Sequence, residues 1–127
     1  MARVALVTGG SRGIGAAVAK GLQAAGYRVA ANYAGNAEAA ERFKAETGIP
    51  VFRWSVADHA ACAEGIRQVE AELGPVDVLV NNAGITRDAP FHKMTREQWD
   101  QVIGTNLNGI FNMTHPLWNG IDRKSVV

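Results

Sequence analysis

Apolar positions along this chain fall into short blocks of two alternating kinds. Residues 4–8 form a near-continuous apolar run closed by Gly9-Gly10, and Ile14, Val18 and Leu22 then recur every four residues. The run predicts a buried strand and the recurrence one face of a helix. Gly26 is placed where a left-handed residue ends that helix. Residues 28–33 read as a second strand. Asn36 then caps a helix that presents Ala40, Phe43 and Ala45 and closes at Gly48. Residues 51–55 read as a third strand. Asp58 caps a third helix whose inner face is Cys62, Ile66, Val69 and Leu73, and Gly74-Pro75 stops it. Residues 76–81 read as a fourth strand. Thr95 with Gln98 forms a capping box for a helix expected to bury Trp99, Val102 and Ile103, and a last helical segment covers about 107–118.

The strand runs are continuous, not alternating, which is the mark of a parallel sheet covered on both faces. Strand, helix and strand in repetition imply an α/β fold, a doubly wound parallel sheet of Rossmann-like type, in one domain over residues 1–127. Composition adds limits. Lys plus Arg is 13 against 12 for Asp plus Glu, a net charge of +1, so there is no electrostatic call for nucleic acid or an anionic membrane. One cysteine, Cys62, leaves no intrachain disulfide, and on an apolar helix face it reads as an inert buried thiol. His59, His92 and His115 are too scattered to predict a metal site. Trp54, Trp99 and Trp118 read as core or interface anchors. No run approaches the roughly 18 apolar residues of a membrane span, and a cytoplasmic location is expected.

The 14 glycines matter through their placement. Thr8-Gly9-Gly10-Ser11-Arg12-Gly13-Ile14-Gly15 joins the first strand to the first helix. A helix start offers unpaired N–H groups and a positive dipole end, which suits a diphosphate. Gly9 permits the tight turn, Gly13 close approach of the backbone to the phosphates, and Gly15 close packing of the helix. No Gly-Lys-Ser or Gly-Lys-Thr follows, so a nucleoside-triphosphate loop is excluded. A site selective for NAD puts a carboxylate at the end of the second strand. Here Asn32 and Tyr33 stand there, and Arg12 lies in the loop, so NADP(H) is the expected cofactor.

The spacing Thr-Gly-x-x-x-Gly-x-Gly, with Asn81-Asn82-Ala83-Gly84 after the fourth strand and Thr105-Asn106-Leu107 in the following helix, resembles the short-chain dehydrogenase/reductase family. Asn82-Ala83-Gly84-Ile85-Thr86-Arg87-Asp88, Phe91-His92-Lys93-Met94-Thr95 and Trp99-Asp100 resemble its acetoacetyl-CoA reductases of polyhydroxyalkanoate synthesis, with the 3-oxoacyl-carrier-protein reductases next. The resemblance implies an oxidoreductase that reduces a 3-ketoacyl thioester, acetoacetyl-CoA to 3-hydroxybutanoyl-CoA, with NADPH. It implies that Ser11, Arg12, Gly13 and Ile14 cradle the phosphates and that Ser55 and Val56 flank the adenine. The family usually has Asp where Ser55 stands. Asn82, Ala83, Gly84 and Ile85 then line the ribose and nicotinamide side, Thr86 and Asp88 approach the substrate, and Asn106 matches the catalytic asparagine that holds a water in a proton relay.

The family's proton donor is a tyrosine followed four residues later by a lysine. The two tyrosines here, Tyr27 and Tyr33, are followed at that distance by Ala31 and Ala37. The chain is therefore read as the N-terminal, cofactor-binding part of such a reductase, ending before the catalytic half. Its tail from Gly120 departs from the family pattern and resembles a shifted reading frame or a partial clone. By itself such a chain is expected to bind nucleotide without turnover. With the fourth strand left as an open edge, it is expected to form homo-oligomers or to aggregate.

Overall fold

The structure is a computed structural model that describes residues 2–85, 89–121 and 125–126. Strands β1 (Val4–Val7), β2 (Arg28–Tyr33), β3 (Val51–Arg53) and β4 (Val76–Val80) alternate with helices α1 (Gly13–Ala24), α2 (Ala37–Thr47) and α3 (His59–Leu73). A 3-10 turn (Phe91–Lys93), α4 (Arg96–Ile103), a π-helical turn (Gly104–Asn108), α5 (Gly109–Ile121) and a short β5 (Ser125–Val126) complete the described chain. All pairings are parallel, in the order β3-β2-β1-β4-β5. This is the doubly wound order, in which the chain reverses its direction of sheet growth between β1 and β4.

Successive residues of each strand point to opposite faces, and both faces are packed. Leu6, Ala30 and Leu79 meet Cys62, Ile66 and Val69 of α3 and Met113 of α5 on one side. Ala5, Val7, Val29 and Ala31 meet Ala19 of α1 and Phe43 of α2 on the other. Local chemistry sets the ends of the helices. Asn36 Oδ1 accepts from Ala39 N, Asp58 Oδ1 from Ala61 N, and Thr95 and Gln98 form the reciprocal capping box. Gly26 and Gly48 take positive φ of 97° and 75° just past α1 and α2, as a left-handed stop requires.

Several expectations are corrected. Ile14 is 77% exposed, and the buried positions of α1 are Gly15 and Ala19, with Val18 and Leu22 partly covered. On so tight a helix–sheet approach the small residues go inward. Ala45 is exposed on α2. β3 stops at Arg53 and β4 at Val80, because the Asp58 N–H to Ser55 O and Asn82 N–H to Val80 O bonds turn the chain out of the ladder. No residue of α4 is buried, and Trp99 is half exposed, as is Trp118; only Trp54 is a core tryptophan. The far side of β4 is not wholly open: β5 pairs Ser125 with Val78 and Val126 with Leu79.

Candidate functional site

The loops leaving β1, β2, β3 and β4 open into one groove of about 550 Å³. It lies at the carboxyl ends of the strands, beside the β1/β4 reversal, which is where open α/β sheets receive ligands. Gly9, Ser11, Arg12 and Gly13 form its floor, residues 32–36 one wall, residues 54–56 a second, and residues 82–85 with Thr105 the third. Among the described residues no carboxylate lines it.

The α1 end of the groove presents an uncapped helix start, an arrangement that suits an anion. Arg12 precedes the helix in extended backbone (φ −158°, ψ 166°), no side chain caps the first turn, and that turn carries no acid. The orphan N–H groups and the dipole end of the helix are thus left without a protein partner. Gly13 has φ +59° and nothing within 4 Å of where a Cβ would stand, so the approach is unobstructed. Arg12 is exposed, and no ion pair among the described residues engages it.

The loop is held from below. Thr8 Oγ1 accepts from both Asn82 N and Ala83 N at 3.0 Å, which ties the exit of β1 to the exit of β4. Asn82 Nδ2 donates to Gly9 O at 3.1 Å. Gly15 packs against this same pair: a Cβ there would collide with Gly9 O and would stand 2.5 Å from Asn82 Nδ2. The glycine thus serves the loop and the Asn82 side chain more than the sheet itself. On the other flank Gly10 N donates to Asn32 O at 3.0 Å and Gly9 N to Asn32 Oδ1 at 3.4 Å.

The structure brings most of the residues singled out from sequence to this one groove. Gly9, Ser11, Arg12, Gly13, Asn32, Tyr33, Ser55, Val56, Asn82, Ala83, Gly84 and Ile85 all line it. Ile14 and Gly15 sit beside it and not in its lining. The Ser55 hydroxyl accepts from Ala57 N, which engages it in its own loop. Asn106 lies in the π-helical turn. Its Oδ1 accepts from Ile85 N and its Nδ2 donates to Ile85 O, both at 2.8 Å, so the whole carboxamide fastens the 82–85 segment. Thr86 and Asp88 lie outside the described residues. Sequence reasoning missed Ala34, Gly35, Asn36, Trp54 and Thr105 in the lining. Asn36 carried a usable signal, since a cap residue just after β2 must sit at the groove's rim; Trp54 carried none, because an indole in an apolar run reads as core.

Behind the groove wall lies Cys62. Burial pushes its thiol up to about 11 and Asp58 adds to that rise, while the Trp54 indole works against it. No group of three metal-ligating side chains is found among the described residues.

An uncapped helix start after a glycine turn, at the reversal point of a 3-2-1-4-5 parallel sheet, defines a Rossmann-type α/β protein. The chain belongs to the short-chain dehydrogenase family, whose profile matches residues 3–125. It is 71% identical over 121 residues to an acetoacetyl-CoA reductase of Rhizobium meliloti, covering 95% of this chain and 50% of that protein. It is also 71% identical over 125 residues to one of Paracoccus denitrificans, covering 98% and 52%. A 3-oxoacyl-(acyl-carrier-protein) reductase of Staphylococcus aureus is 48% identical over 117 residues, covering 88% and 48%. The chain thus spans about half the length of the curated relatives it matches. Among solved structures, a blue fluorescent protein from a metagenomic library, in complex with NADPH, superposes with a TM-score of 0.89 at 32% identity, over 98% of this chain and 53% of that one. A short-chain dehydrogenase from Novosphingobium aromaticivorans gives 0.88 at 27% identity, over 93% and 45%.

Proposed function

We propose that this chain holds the nicotinamide dinucleotide in an NADP(H)-dependent reductase of 3-ketoacyl thioesters, and that the complete enzyme converts acetoacetyl-CoA to 3-hydroxybutanoyl-CoA. The observation that carries the cofactor half is the carboxylate-free groove with an uncapped helix start and a free arginine at one end. The relatives of 71% identity carry the substrate half, and they favour the CoA thioester over the carrier-protein thioester of the relative at 48%.

The cofactor, when bound, supplies the hydride. The chain's own residues do the rest of the holding. The amides of Ser11, Arg12, Gly13 and Ile14 bind the diphosphate, and the guanidinium of Arg12 pairs with the 2′-phosphate. Gly9 and Gly15 shape the loop, and Asn32 and Tyr33 close the β2 side without a repelling charge. Ser55 and Val56 flank the adenine. Asn82, Ala83, Gly84 and Ile85 line the ribose and nicotinamide end. Asn106 fixes Ile85 and serves the proton relay from its π-helical turn. Thr86 and Asp88 are assigned to the acyl-CoA side. The carbonyl must gain a proton as it gains hydride, and neither Tyr27 nor Tyr33 has the lysine that would tune it as the acid. The 127-residue chain by itself is therefore a nucleotide-binding unit.

Two measurements test this reading. Titration is expected to give tighter binding of NADPH than of NADH; the reverse order overturns the cofactor assignment. Incubation of the chain with NADPH and acetoacetyl-CoA is expected to leave the cofactor unoxidised, and steady turnover refutes the nucleotide-binding role.

A further inference from the structure

Asn32 stands where a residue that reads the ribose 2′ position is expected, yet both polar atoms of its side chain are engaged within the protein. It is 1% exposed. Its Nδ2 donates to Trp54 O at 3.0 Å, a buried bond across β2 and β3, and its Oδ1 faces Gly9 N at 3.4 Å. Its backbone carbonyl accepts from Gly10 N at 3.0 Å. One residue therefore meets two consecutive amides of the glycine turn with its acceptors and the exit of β3 with its donor. An Asn is suited to this position because its carboxamide offers an acceptor and a donor on a short stem. Trp54 is itself fixed from the far side, since its ring lies so close to Gly65 of α3 that any Cβ there would strike it.

We propose that Asn32 is a positioning residue for the diphosphate loop, acting through Gly9 and Trp54, and that it does not read the ribose 2′ substituent. It is the counterpart, on the β2 side, of Asn82, which holds Gly9 O from the β4 side. Gly9 is at φ +61°, a conformation with few intrinsic restraints in glycine. Clamping its N–H and its C=O from opposite flanks sets the direction in which the following amides point. The cofactor-binding arm of this proposal rests on the function proposed above; the loop-holding arm does not.

The test uses the full 127-residue chain with Asn32→Leu, which keeps the size and removes both polar atoms, and Asn32→Asp, which keeps the acceptor and loses the donor. Amide hydrogen exchange is followed by NMR at Gly9, and NADPH and NADH are each titrated. The leucine variant is expected to exchange Gly9 roughly tenfold faster, with β1 and β4 amides unchanged, and to weaken both dinucleotides by the same factor of roughly ten. The aspartate variant is expected to retain more of the Gly9 protection and to leave the NADPH-to-NADH preference where it was. A preference moved toward NADH by about tenfold or more in Asn32→Asp means that the side chain reads the ribose, and overturns the proposal. Unchanged Gly9 exchange in Asn32→Leu overturns it equally. If the leucine variant does not fold, Asn32→Ser, too short to reach Gly9, carries the same exchange comparison. If the unaltered chain binds neither dinucleotide, the cofactor reading fails, and the exchange result alone decides whether Asn32 holds the loop.

Discussion

Gly13 and Gly15 are two residues apart and do opposite things. Gly13 needs its positive φ and has empty space beside it; Gly15 has ordinary helical backbone and no space at all. Gly13→Ala is therefore expected to fold, at a cost of about 1–2 kcal/mol for the left-handed backbone, and to weaken dinucleotide binding modestly. Gly15→Ala pushes Gly9 O and Asn82 Nδ2 apart and is expected to abolish binding while destabilising the fold by about 1–3 kcal/mol. Denaturant unfolding and cofactor titration of the two variants, side by side, check this. The glycine spacing made the loop legible because few other residues tolerate those contacts. The partner of Gly15 was not legible, since Asn82 arrives from a strand far along the chain. Cys62 was legible as buried from its place on the α3 face. Its thiol rises from 9.0 to about 11 because burial disfavours the thiolate. The folded chain then keeps a proton that the unfolded chain loses, so the stability from this group is whole below about pH 9 and falls as the pH climbs toward 11, by about 3 kcal/mol. Cys62→Ala is expected to show a shallower loss of stability between those two pH values than the unaltered chain, read by urea unfolding at each.

At the level of elements, starts were more legible than partners. Asn36, Asp58 and Thr95 each cap the helix that their position announces, because a cap is a bond within a few residues. What a helix buries is decided elsewhere in the chain. The apolar spacing of Trp99, Val102 and Ile103 describes a face, but nothing in the described structure covers it fully. The π-helical turn before α5 was also invisible, because its long-range partners arrive from elsewhere: its Asn106 carboxamide bonds Ile85, and the α5 start that follows it seats on Val56, with Asn112 Nδ2 donating to Val56 O at 2.9 Å. The same asymmetry gives a prediction for α4. Thr95→Ala removes the side-chain arm of the capping box, in which Thr95 Oγ1 accepts from Gln98 N, leaves the arm from Thr95 N to Gln98 Oε1, and is expected to cost about 1 kcal/mol. With no buried residue on α4, that cost is local: amides of residues 97–99 should exchange faster while the thermal midpoint of the chain stays nearly constant. A large drop in the midpoint would show that α4 is coupled to the sheet core.

The whole molecule was legible in topology and less so at its edge. Alternating periods fixed a parallel sheet with both faces covered, and the cores on the two sides of β1 bear that out. The pairing of β5 on β4 was not foreseen, since two residues carry no periodicity. The groove depends on this global order: its walls come from the ends of four strands, so a ligand that spans it adds to the few side-chain bonds that already join those segments beyond the sheet. Ligand binding and folding are therefore linked. At a free concentration of one hundred times its dissociation constant, NADPH is expected to stabilise the chain by about 2.7 kcal/mol, which in a chain of this size raises the thermal midpoint by roughly 10 °C. The Gly15→Ala variant should show no such rise. The salt dependence separates the two contributions at the α1 end. In the proposed binding mode, amides covered by a diphosphate would be short-range and weakly screened, whereas exposed Arg12 would act on a 2′-phosphate through a charge pair that ions weaken. Raising the salt should therefore shrink the advantage of NADPH over NADH while leaving NADH binding almost unchanged, and Arg12→Ala should remove both the advantage and its salt dependence. An NADPH preference that survives high salt and the loss of Arg12 would move the 2′-phosphate to the residue 33–36 wall, where the groove offers hydrogen-bonding groups but no cation.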